Sequence, residues 1–127
     1  MTNKANLTSS APHLYDPATY ADLADWGVQG DAIAGQSHSS GRLLYKRPDA
    51  SVGGNSPECG LWQCMPGKWR LSIPRDEFCH FVSGRATYVR DDGEIIEVRP
   101  GTCVHFPAGW SGICTVHETM RNVYMLR

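Results

Sequence analysis

Two stretches decide how this chain folds: Gly67–Gly84, GKWRLSIPRDEFCHFVSG, and Gly101–Gly112, GTCVHFPAGWSG. Both set short apolar and aromatic runs between strong turn signals. Pro74-Arg75-Asp76 divides the first and Pro107-Ala108-Gly109 breaks the second. Between them Asp91-Asp92-Gly93 reads as a hairpin turn, since Asp and Gly tolerate positive φ. Moving outward, the pattern repeats. Arg42–Lys46, Gly60–Cys64, Lys68–Ile73, Glu77–Val82, Arg85–Arg90, Glu94–Val98, Thr102–Phe106, Ser111–Val116 and Arg121–Leu126 read as short strands, with a long loop over Arg47–Pro57. Many short strands joined by tight turns argue for an all-β sandwich or barrel.

The N-terminal third reads differently. Residues 1–12 are polar and read as a loosely attached arm. Asp16-Pro17 is a helix start, because Asp caps free amides and Pro suits the first helical position. Tyr20, Leu23 and Ala24 follow at helical spacing and Gly27 supplies a stop, so the pattern predicts one short helix over Pro17–Trp26. Gly27–Gly41, polar and glycine-rich, reads as a loop. The division expected is an arm over residues 1–40 and a barrel domain over 41–127.

With 127 residues the chain suits one domain. A net charge of −1 supplies no basic field for nucleic acid. No apolar run approaches the roughly 20 residues that a membrane helix requires. The N-terminus lacks an apolar stretch of the secretory kind. Five cysteines, at 59, 64, 79, 103 and 114, form no C-x-x-C pair, which fits reduced thiols in a cytoplasmic protein.

The two stretches resemble the paired motifs of the cupin superfamily, whose fold is the RmlC-like jelly-roll barrel, a double-stranded β-helix. Glu77 and Gly84 keep the glutamate-to-glycine spacing of the first motif; Gly101, Pro107 and Gly109 fit the second. The chain is most similar to the small single-domain cupins of the ureidoglycine aminohydrolase-like and ethanolamine-utilisation Q-like kind. The residues that carry this are Gly60-Leu61-Trp62-Gln63-Cys64-Met65-Pro66-Gly67, Pro74, Glu77-Phe78, Gly84, Pro107–Gly112, Arg121 and Tyr124. The resemblance implies metal-binding histidines at Leu71 and Ile73, or at Arg70 and Ser72, and a third at Gly112. None of these is histidine.

No metal or other cofactor is therefore expected. The alternative is a divalent transition metal held by substitute ligands. Strand alternation puts Glu77 and Cys79 on one face and Cys103 and His105 on one face of theirs, so the four meet if both faces turn inward. His80 falls on the opposite face from Glu77. Glu77 is the candidate catalytic residue, since a carboxyl among aromatics has its pKa raised and becomes a usable acid or base. Its other reading is a structural pair with Arg70. Trp62, Trp69, Trp110 and Tyr124 are candidate pocket walls, with Trp110 at the barrel mouth. Cys79 and His105 complete the candidate ligand-binding set. Arg70, Arg75 and Arg121 are candidate anchors for a carboxylate, the other reading of Arg75, in a turn, being plain solvation.

The expectation is a cupin barrel, paired as a homodimer to protect its sheet edges, that binds a small polar or anionic metabolite without proven catalysis. One alternative is a metal-dependent enzyme on a small nitrogen-containing or carboxylate substrate, aminohydrolase-like. Another is an accessory protein with a vestigial pocket.

Overall fold

The computed structural model describes residues 15–47 and 56–127. Within them the protein is all β. Nine strands form one curled antiparallel sheet: β1 (Ala24–Val28), β2 (Ala32–Ala34), β3 (His38–Lys46), β4 (Glu58–Cys64), β5 (Gly67–Ile73), β6 (Glu77–Arg90), β7 (Ile95–Val98), β8 (Cys103–Phe106) and β9 (Trp110–Leu126). Two long strands close the structure. The first half of β9 lies between β5 and the end of β6, whereas its second half lies between β4 and the start of β6. The sheet therefore folds over on itself through β6 and β9, giving two faces with a shared interior.

The expected pairs Glu77–Val82 with Arg85–Arg90, and Ser111–Val116 with Arg121–Leu126, thus each run together into one bent strand. The bend in β6 falls between Phe81 and Ala86, where its register with β9 slips. Gly84 sits there with φ +83°, and a Cβ would collide with the backbone of Thr119 and Met120. Only glycine meets both demands at low cost.

Alternation fills the interior. On β9, Trp110, Cys114, Val116, Met120, Asn122 and Tyr124 point inward. Phe81, Tyr88, Phe106 and Trp110 form an aromatic plug with Tyr88–Phe106 and Phe106–Trp110 ring centroids both 5.1 Å apart. Burying each such ring contributes roughly 1.5–3 kcal/mol. All five cysteines are free; Cys64, Cys79 and Cys114 are buried.

The helix expected over Pro17–Trp26 does not form. Asp16 does cap a turn: its Oδ1 accepts from the Ala18 amide at 3.0 Å and its carbonyl from Tyr20 at 3.0 Å. The turn stops at Thr19, and β1 begins at Ala24. A single turn is the costly part of a helix, and propagation needs successive free carbonyls. Here Arg121 Nη1 donates to the carbonyls of Pro17 and Tyr20 at 2.8 and 2.7 Å, and Arg42 to that of Asp22. The barrel claims the acceptors that the helix requires. The expected loop over Gly27–Gly41 contains β2 and the start of β3, whose inward residues are the small Ser39 and Gly41. A strand with serine and glycine on its buried face carries no apolar alternation to read.

Candidate functional site

Among the described residues the barrel holds a cavity of about 660 Å³ that is open to solvent on one side. Its walls grow directly from strand alternation. Trp69, Leu71 and Ile73 of β5 face inward, as do Glu58 and Trp62 of β4 and Tyr124 of β9. Trp62 and Trp69 meet edge to face, 6.4 Å between centroids, and both line the cavity with Tyr124, Tyr88 and Phe106. The aromatic plug therefore supplies part of the wall through Tyr88 and Phe106. Trp26, 44 % exposed, joins the lining from β1. Its ring occupies the space above Gly41, where any Cβ would collide with it.

The polar lining is Gln29, Ser39, Glu58, Ser72, Glu77 and Asn122, with the Tyr88 and Tyr124 hydroxyls. Glu77 opens β6 and reaches the cavity, where its Oε2 accepts a bond from the Cys79 thiol at 3.2 Å. Burial pushes the Glu77 carboxyl above the ordinary carboxylate range, and the thiol bond offsets this only in part. Glu58, also lining the cavity, is met by Arg75 Nη1 at 3.4 Å. Two buried atoms on the wall lack a partner among the described residues: the Trp69 indole N–H and the Asn122 Oδ1, the latter on a residue 1 % exposed. Buried polar groups of this kind normally find a partner.

The structure separates the expected site residues into two groups. Glu77, Trp62, Trp69 and Tyr124 line the cavity, with Cys79 buried behind Glu77. The others do not line it. In β8 it is Val104 and Phe106 that turn inward, opposite Cys79 and Glu77; Cys103 and His105 lie opposite His80 and Phe78 on the outer face. The expected meeting of Glu77, Cys79, Cys103 and His105 is thus excluded by the register of β6 and β8. Arg70 alternates outward from Trp69 and Leu71 and meets Asp91 at 3.4 Å, so it pairs with neither Glu77 nor a cavity ligand. Arg121 is also outside, held by Gln63 Oε1 at 2.8 Å and by the arm carbonyls. Trp110 belongs to the plug rather than to a mouth. The turn before it docks on the preceding turn, Ala108 N–H donating to Asp76 Oδ1 at 2.9 Å and Gly109 N–H to the Ile73 carbonyl at 2.7 Å, which folds the indole inward. Arg75 is not a solvated turn residue, since it bridges Glu58 and the Ser56 carbonyl.

Glu58, Trp26 and Asn122 are among the cavity residues that escaped the sequence reading. Glu58 lay between the loop read to Pro57 and the strand read from Gly60, and Trp26 at the end of the expected helix. Asn122 had a legible signal, a polar residue at an inward position between Met120 and Tyr124.

A metal does not fit this interior. The inward positions that the resemblance assigns to histidines are Leu71 and Ile73, which line the cavity and offer no donor atom. At Gly112 a Cβ would collide with the Val89 carbonyl and approach the Trp110 ring at 2.7 Å. Near Glu77 the remaining donor is Cys79, whose thiol burial pushes far above the range where a thiolate ligand forms. Among the described residues no three His, Cys, Asp or Glu side chains are placed to hold a metal ion.

Comparison with known proteins matches residues 54–124 to the EutQ-like cupin domain. No curated protein sequence matches. Solved structures of similar fold include the EutQ protein of Clostridium difficile, 16% identical, with a TM-score of 0.57 over 71% of this chain and 68% of that one. A protein of unknown function from Pseudomonas syringae pv. tomato is 16% identical with a TM-score of 0.72, covering 84% of this chain and 45% of that one, so this chain spans under half of its length. A cupin superfamily protein from Desulfitobacterium hafniense is 11% identical with a TM-score of 0.55, over 69% and 75%. At these identities the likeness is one of fold.

Proposed function

Because the chain belongs to the EutQ-like cupin domain family, we propose that its barrel binds a small polar molecule, with Glu77 as the polar anchor and Trp62, Trp69 and Tyr124 as walls. The observation that carries this reading is the cavity itself: about 660 Å³ of aromatic-walled space with a buried carboxyl and two unpartnered polar atoms facing it. Pockets that take small molecules combine an apolar lining with a few placed polar groups. A fold hosts many functions, and the residues of the site decide among them.

The test is a thermal-shift screen of small amines, amides, ureido compounds and carboxylates. A ligand bound to the folded form raises the melting temperature with occupancy. Hits should weaken in both Glu77→Gln and Trp62→Ala. A hit that binds wild type and both variants equally well lies outside the barrel.

A second reading, an acid–base catalyst on a small nitrogen-containing substrate in the manner of the aminohydrolase-like cupins, is favoured by the raised Glu77 pKa. A carboxyl protonated nearer to neutrality transfers protons more readily at working pH. Its metal-dependent form lacks support in the donor set around Glu77. We further propose that the chain pairs as a homodimer. Phe78 and Met125, opposite one another on the outer face and 47% and 56% exposed, support that reading.

A further inference from the structure

Resting on the reading of the cavity as a binding site, we infer that its ligand is a small organic cation, a protonated amine, held by Glu77 and the tryptophan walls. The charge inventory points to it. Among the described residues no Lys, Arg or His lines the cavity, and its two carboxylic acids are Glu58 and Glu77. Glu58 already has its counter-charge, Arg75, which is held in turn by the Ser56 carbonyl at 2.7 Å. Glu77 has none. Its partner is a neutral thiol, and the arginines of the sequence reading are engaged elsewhere, Arg70 with Asp91 and Arg121 with Gln63 and the arm.

An anion entering this space would meet an unscreened carboxyl in an apolar wall with no compensating cation, which is unfavourable twice over. A cation supplies what is missing. Its charge would favour ionised Glu77, reversing the effect of burial. The faces of Trp62, Trp69 and Tyr124 attract a cation through their π-electrons. The Asn122 Oδ1, buried and without a partner, accepts from a donor, and an ammonium group carries several. That acceptor separates a protonated amine from a quaternary ammonium, which has no N–H to give. Among the described residues the Trp69 indole N–H is the one buried donor on the wall without a partner, and it offers a place for an acceptor on the body of the amine.

The experiment is isothermal titration of the full chain with matched probes of equal shape: benzylamine, benzyl alcohol and benzoate, then butylamine, butanol and butyrate, below the amine pKa. The amines should bind at least ten-fold more tightly than their alcohol and carboxylate partners. Glu77→Gln, which keeps the shape, should weaken the amines roughly ten- to hundred-fold and leave the alcohols unchanged. Benzyltrimethylammonium should bind more weakly than benzylamine, and equally to Asn122→Ala and wild type. Melting curves establish that each variant folds. Carboxylates or alcohols that bind as tightly as the amines, yet still weaken in Trp62→Ala, overturn the cation inference and leave the cavity as the site. Amines indifferent to both Glu77→Gln and Trp62→Ala overturn the binding-site reading itself. Absence of amine binding at millimolar concentration overturns the inference.

Discussion

Glu77 and Cys79 face the barrel interior as neighbours of one strand face, the Cys79 thiol donating to the Glu77 carboxyl across 3.2 Å. The thiol is the carboxyl's one side-chain partner among the described residues. A weak donor stands where a cation would normally balance a buried acid.

This arrangement predicts how stability depends on pH. Burial raises the folded-state pKa of Glu77 above its ordinary 4.5, so the folded form binds the proton more tightly than the unfolded chain. The contribution of that group is fully present below about pH 4.5 and is lost as pH rises through the raised value. In ligand-free protein, Glu77→Gln should therefore melt above wild type at neutral pH, with the gap closing on acidification. Cys79, Tyr88 and Tyr124, the interior groups that feel the Glu77 charge, are neutral over this window, burial raising each further above its ordinary value. Thermal melts of both proteins from acid to neutral pH check this; a gap that is constant or widens toward acid contradicts it.

Purified protein should hold no stoichiometric transition metal, because Leu71, Ile73 and Gly112 stand where histidine donors would be needed. Elemental analysis of untagged protein, prepared without chelator, is the measurement. One equivalent of metal that disappears in Glu77→Ala would restore the metal-dependent alternative.

Arg121 holds the N-terminal segment, not a ligand. Replacing it with alanine removes its bonds to the Pro17 and Tyr20 carbonyls and leaves Gln63 without its partner. Charged hydrogen bonds of this kind contribute roughly 1.5–3 kcal/mol each at most, so Arg121→Ala should lower the melting temperature and speed proteolytic cleavage around residues 17–22. Affinity for a cavity ligand should change less than in Glu77→Gln. Selective loss of anionic ligands in Arg121→Ala would return that residue to the binding site.

Light scattering should report twice the 14.0 kDa chain mass, with Phe78→Glu shifting the protein to monomer. A wild-type monomer at micromolar concentration contradicts the homodimer.

The strands and turns from Arg42 onward were legible because period-two alternation and turn residues act locally. The interior position of Glu77 came instead from the resemblance to the cupin motif, where it stands at a ligand position. What alternation leaves open is which face of a strand turns inward, and β8 shows the consequence. Cys103 and His105 share a face, as read, but the pairing of Glu77 with Phe106 turns that face outward. The helix failed for a non-local reason: the cap at Asp16 works, while arginines from β3 and β9, distant in sequence, take the carbonyls. Arg70 and Arg121 looked like ligand anchors because a sequence shows charge without direction. The arm over residues 1–12 lies outside the described residues.

The central claim is that the barrel interior around Glu77 is the binding site. A crystal structure of the full chain with the strongest hit from the thermal-shift screen tests it most directly. Ligand density should lie against Trp62 and Trp69, within hydrogen-bond reach of Glu77 and Asn122. Ligand density confined to the outer face near Phe78 and His105, with none inside the barrel, would contradict it.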